Sequence, residues 1–186
     1  MASMKMATLG DKLGLPARSS PLLQKAERMG LNSPALLEGL AVARGCWHYR
    51  SPETASGVQV AESDFSNEEL AVALLSPSLP YSPRTIRIGG AMLGATGNDA
   101  QTLARLAVQE QSVAPARYIA TVGLRFEPDN PFWRQLLEQL PETEPPKNGI
   151  MPHPTRFVSM TGITRAGIGL VTVWVRPRSE LSIDRG

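Results

Sequence analysis

The chain has 186 residues, 42% of them hydrophobic and 19% charged, with a formal net charge of +2. That balance fits a soluble globular protein with one good-sized core, one domain with extensions being the default. Cys46 is the single cysteine, which excludes an intramolecular disulfide and a cysteine-rich zinc site and fits a reducing, cytoplasmic compartment. The first residues lack the apolar core of a signal peptide, and no stretch approaches about 18 unbroken apolar residues, so neither secretion nor a membrane partner is expected.

The 16 glycines and 16 prolines imply many turns and short elements. Residues 1–20 mix Met, Lys, Gly and Ser without a sustained period and read as a mobile N-terminal arm, or a strap laid on a neighbour. A helical domain is expected over residues 21–149. Its first candidates run from Pro21 to Met29, closed by Gly30, and from Pro34 to Ala43, capped by Ser33 and closed by Gly45. The polar, Pro- and Gly-punctuated stretch Arg50–Asp64 reads as a loop or linker, with a short strand at Val58–Val60.

Ser66 and Glu69 form a capping-box pattern ahead of Leu70, Ala71, Leu74 and Leu75, which predicts a helix start with a buried stripe. Pro77, Pro80 and Pro83 then interrupt the chain. Ser82 caps a new helix whose first turn holds Pro83, and that helix should reach about Leu93. Further helices are predicted after Asn98 or Asp99, from Ala114 to Leu124, and after Asp129-Asn130-Pro131, where Phe132, Trp133, Leu136, Leu137 and Leu140 form a broad apolar face. Pro141–Pro154 holds five prolines and Gly149, so it should be an extended connector.

Beyond the connector, Arg156–Gly162 and Gly169–Arg176 alternate as strands, which predicts a β-hairpin over residues 150–178 and a tail over 179–186. Val171, Val173 and Val175 are expected on its core side, with Thr172, Trp174 and Arg176 opposite, on a face that either meets another element or is exposed for binding. The predicted fold class is mainly α (α+β): a cluster of four to six short helices, a proline-rich connector and a C-terminal two-stranded β-hairpin. An isolated hairpin is marginal in water, so it must pack on the helices or pair with another chain.

The stretch from Ser66 to Gly94 resembles a helix-turn-helix. Glu69–Leu75 matches the supporting helix, and Ser82-Pro83-Arg84-Thr85-Ile86-Arg87 matches the entrance of a recognition helix, although the turn Ser76–Tyr81 is longer than the usual three or four residues. The resemblance implies a DNA-binding role in which Arg84, Thr85 and Arg87 point outward to a groove. A second cationic feature is the tail. Ile150–Arg178 contains no Asp or Glu but holds Arg156, Arg165, Arg176 and Arg178, whereas the segment before it carries Glu127, Asp129, Glu138, Glu142 and Glu144. These two segments either neutralise one another or leave a polyanion-binding face.

Other motifs point to packing rather than chemistry. Gly90 and Gly94, with Gly89 and Gly97 nearby, lack the preceding strand and the Lys-Ser/Thr of a phosphate loop, so close approach of another backbone or of an aromatic such as Trp133 is the better account. Cys46, His48 and His153 are too few for a structural zinc, and Arg44-Gly45-Cys46-Trp47-His48-Tyr49-Arg50 matches no nucleophile elbow. Trp47, His48, Tyr49 and Arg50 make a short aromatic and basic cluster, either a loop anchored by Trp47 or a stacking surface for bases.

The expected function is therefore non-enzymatic nucleic-acid binding, to DNA or RNA, through Arg84, Thr85, Arg87, Arg156, Arg165, Arg176 and Arg178. The alternative is a protein-interaction or assembly module that clasps a protein partner or a second copy. No catalytic residue, cofactor or metal is expected.

Overall fold

The computed structural model describes residues 6–52, 59–164 and 167–178, with the backbone alone described over 160–164 and 167–171. Among these residues eight α-helices precede a two-stranded antiparallel sheet: α1 (Leu9–Leu13), α2 (Pro21–Arg28), α3 (Pro34–Ala43), α4 (Asn67–Leu74), α5 (Pro83–Leu93), α6 (Ala100–Gln109), α7 (Val113–Phe126) and α8 (Pro131–Gln139), then β1 (Val158–Thr164) and β2 (Gly167–Trp174). Single 3-10 turns, η1 (Trp47–Tyr49) and η2 (Pro154–Phe157), follow α3 and precede β1. The mainly helical class with a terminal hairpin is as expected, with more helices than the four to six anticipated.

Helix starts follow their cap chemistry. Ser33, Ser66, Ser82, Asp99 and Asn130 each accept a backbone N–H of the helix that follows, and Glu69 returns the bond to Ser66. The expected short strand at Val58–Val60 falls partly on Val58, which lies outside the described residues, while Gln59 and Val60 are irregular. The tail over 179–186 also lies outside them.

Part of the expected N-terminal arm is structured. Thr8 and Asp11 form a capping box that opens α1. The Leu9 and Gly10 amides then donate to the Leu79 and Pro77 carbonyls at 3.0 and 2.8 Å. Leu9 is buried, so this segment straps the α4–α5 turn by backbone bonds and one apolar anchor.

α5 is the central helix. Thr85, Ile86 and every residue from Ile88 to Leu93 are buried. Its glycines decide what lies against it: a Cβ on Gly89 would sit 2.8 Å from Leu75 at the end of α4, and one on Gly90 would sit 2.6 Å from the Phe157 ring. Gly90 and Gly94 thus form a trough for aromatic rings, as their packing reading anticipated. In that trough Phe157 stacks on Trp174 at 5.6 Å and 3° between planes, while Trp133 meets Trp174 edge-on at 4.8 Å.

The hairpin corrects the sequence reading in two ways. Its strands start two residues later on β1 and two residues earlier on β2 than expected, and Trp174 lies on the core side with 1% exposure, whereas Val173 is only half-buried. Alternation set Trp174 opposite Val173 as observed, but of the two it is Trp174 that lies inward. The α5 trough takes the flat indole, whose burial removes more apolar area than that of a valine, and Trp174 Nε1–H then donates to the Gly90 carbonyl at 3.2 Å. Val175, just beyond the strand, is buried as well, its N–H bonded to the Phe157 carbonyl at 3.0 Å.

Candidate nucleic-acid interface

The first turn of α5 does not face an open surface. Thr85 is 3% exposed, and its hydroxyl donates to Glu38 Oε1 of α3 at 2.8 Å. That places Thr85 in the interior and removes it from any groove contact. Arg84 is half-exposed; its Nη2 donates to the Tyr49 carbonyl at 2.7 Å, and its Nε lies 3.7 Å from Glu38 Oε2. Arg87 lies over the Tyr49 ring at 5.5 Å, while its Nε donates to the Arg156 carbonyl at 3.3 Å. Arg84 and Arg87 of α5 therefore meet one residue of η1, and Arg156 of η2 is joined to Arg87 through its backbone carbonyl.

Tyr49 is the hub of this arrangement because it is buried while its neighbours are not. Burial pushes its phenol above the ordinary range, with Arg87 and Arg84 acting in the opposite direction. His48 is exposed and meets the Tyr49 ring edge-on at 5.1 Å. Arg50 and Arg156 are both exposed.

On the other flank of η1 the chain after β2 runs against the end of α3. The Arg178 N–H donates to the Gly45 carbonyl at 3.0 Å. Gly45 has a φ of +116°, and a Cβ there would lie 2.3 Å from the Arg178 carbonyl oxygen, so conformation and close approach both require glycine. Arg178 itself is exposed. Between these segments lies a cleft of about 440 Å³ lined by Trp47, His48, Ser159, Val173 and Arg178, among others. A larger groove of about 630 Å³, between α1, α7 and the connector, holds none of the candidate arginines.

Arg176 also lines the smaller cleft, but its guanidinium is committed to an acidic partner. Its guanidinium makes a bidentate pair with Glu127, Nη1 to Oε2 at 3.0 Å and Nη2 to Oε1 at 2.6 Å, and Nε donates to the Gly94 carbonyl at 2.9 Å. Glu127 also accepts from Trp133 Nε1 at 2.9 Å. Burial alone would raise the Glu127 pKa, but donors from Arg176, Trp133 and Asn130 outweigh it and hold the carboxyl below its ordinary range. Here one acid of the acidic segment and one arginine of the basic tail neutralise each other. Arg165 lies outside the described residues.

Cys46 is 1% exposed, its Sγ is 3.4 Å from Met92 Sδ, and burial pushes its thiol up to about 12, so it stays a neutral thiol in the core. Among the described residues no group of three His, Cys, Asp or Glu is placed to hold a metal ion. Also among them, no helix is long and apolar enough to cross a membrane.

The structure thus brings Arg84 and Arg87 to Tyr49, joins Arg156 to Arg87 and sets Arg178 against Gly45, while Thr85 is held inside and the half-buried Arg176 is paired with Glu127. Trp47, His48 and Arg50 complete the face. Their sequence run gave the aromatic and basic signal, but nothing local showed that α5, η2 and the C-terminal segment would converge on it. No family model, curated protein or solved structure matches this chain.

Proposed function

We propose that the chain binds single-stranded nucleic acid across the face built on η1. The observation that carries this reading is the meeting of Arg84 and Arg87 at Tyr49, with Arg156 bonded to Arg87 through its carbonyl and Arg178 bonded to Gly45 just before η1. Exposed guanidinium groups spaced along such a face neutralise successive phosphates. Half-buried Trp47 and exposed His48 offer rings on which unpaired bases stack. A duplex groove reader needs a presented helix, and α5 is surrounded by core on all but its first turn. The resemblance to a helix-turn-helix is thereby reduced to chain order. The arginines keep a ligand role through the surface they share, not through insertion.

The test is fluorescence anisotropy of labelled single-stranded and duplex oligonucleotides, DNA and RNA, over a range of salt. The parent should bind single strands more tightly than duplex. Replacing Arg50, Arg156 and Arg178 together by Gln should weaken binding and flatten the slope of log affinity against log salt by about 2, at ~0.7 per phosphate contact. Absence of binding by the parent at low salt, or an unchanged slope in the triple variant, would overturn the proposal.

A further inference from the structure

The geometry points to the outer edge of β1 as the place where two copies of this chain pair, forming a four-stranded sheet in the order β2-β1-β1-β2. The sheet has two strands among the described residues, so β1 presents on its outer side a row of backbone N–H and C=O groups that no strand among those residues takes up. Such a row is a template for another strand, and monomeric proteins blunt it with charges, prolines or bulges.

β1 has none of these devices. Its sequence, Val158-Ser159-Met160-Thr161-Gly162-Ile163-Thr164, contains no charged residue and no proline. The one irregularity of the hairpin falls between the pairs Thr161↔Val171 and Ile163↔Ile168. Two residue steps on β1 there oppose three on β2, which puts the extra residue on β2 and leaves β1 regular. β2 also packs beside α7. The bulge interrupts β2, and β1 is left regular along its length.

A second copy fits this edge better than an unrelated strand. An uncharged strand meeting itself antiparallel about a two-fold axis brings no like charges together, and the same seven residues satisfy one another from both sides. The mid-point of Val158–Thr164 is Thr161, so the axis passes there and sets Thr161 opposite its own copy. The root of the hairpin is fixed to the body by buried Phe157, Val158, Trp174 and Val175. Pairing therefore joins two rigid bodies rather than two tails, and it does not depend on nucleic acid.

Sedimentation equilibrium of the full chain over a wide concentration range, without nucleic acid, provides the test. Twice the chain mass is expected at high concentration, with hydrogen exchange of the 158–164 amides slowing as the dimer fills. Thr161→Lys and Thr161→Glu should each sediment as monomers, because like charges face each other at the axis, and an equimolar mixture of the two should regain the dimer mass. Recovery on mixing also shows that both variants fold. A parent that stays monomeric, a dimer whose 158–164 amides exchange at the same rate at every concentration, or a dimer indifferent to Thr161→Lys overturns the inference.

Discussion

Gly94 of α5 and Trp174 of β2 are matched surfaces: a Cβ on Gly94 would lie 2.6 Å from the indole Nε1 and 3.1 Å from Trp133 Cη2. Two rigid rings leave it no room. Alanine at a helix end is favoured over glycine by at most ~1 kcal/mol, while overpacking a filled core costs about 1–3 kcal/mol. Shifting the indole would also strain its bond to the Gly90 carbonyl. Gly94→Ala should therefore lower stability, read as a lower urea midpoint with unchanged m-value. An unaltered midpoint would show that the trough is looser than its distances indicate.

The Glu127–Arg176 pair gives a pH signature with a definite sign. Glu127 is ionised more readily in the folded chain than in the unfolded one, because its donors outweigh its burial. A lowered folded pKa contributes stability that is present above the ordinary carboxyl value near 4.5 and is lost as pH falls through the lower folded value. Glu127→Gln should thus be less stable than the parent at neutral pH, and the two should draw together below pH 4.5. Denaturant midpoints measured from neutral to acid pH check this; parallel curves would remove Glu127 as the cause.

What could be read from the sequence was what short-range chemistry dictates. The side-chain caps at Ser33, Ser66, Ser82, Asp99 and Asn130 mark their helices directly, and the glycines of α5 announced close packing with an aromatic. α1 was missed although Thr8-x-x-Asp11 is a capping pattern, because five residues give no apolar period to recognise. Trp174 was set opposite the expected core side for a different reason. Both faces of the hairpin carry apolar residues, and the choice is made by a trough some eighty residues away in sequence. The same distance hides the candidate site, where Arg84 and Arg87 meet at Tyr49 and Arg156 joins them through its carbonyl on Arg87, none of this through neighbours in the chain.

Cys46 offers a kinetic test of the core around α5. A thiol pushed up to about 12 by burial carries almost no thiolate at neutral pH, and its Sγ is enclosed beside Met92. An alkylating reagent should label the native chain only as fast as the chain unfolds. Labelling rates should then rise with urea in step with the population of unfolded protein. Rapid modification in buffer alone would contradict the packing described for α3 and α5.

Thr85 and Arg156 separate the two ways in which this chain could meet a nucleic acid. If the first turn of α5 entered a groove, both residues would serve binding. In the structure Thr85 is buried, with its hydroxyl on Glu38, whereas Arg156 is exposed and touches the body through its backbone carbonyl. Thr85→Val keeps the shape but removes a hydrogen bond to a charged acceptor, which should lower stability by about 1–3 kcal/mol and leave oligonucleotide affinity unchanged for the folded fraction. Arg156→Gln should do the reverse, with stability within about 0.5 kcal/mol of the parent and a salt slope flatter by about 0.7. Urea midpoints and anisotropy titrations on the two variants decide the matter together. Weaker binding by folded Thr85→Val would return the helix to the groove, and unimpaired binding by Arg156→Gln would move the ligand off the η1 face.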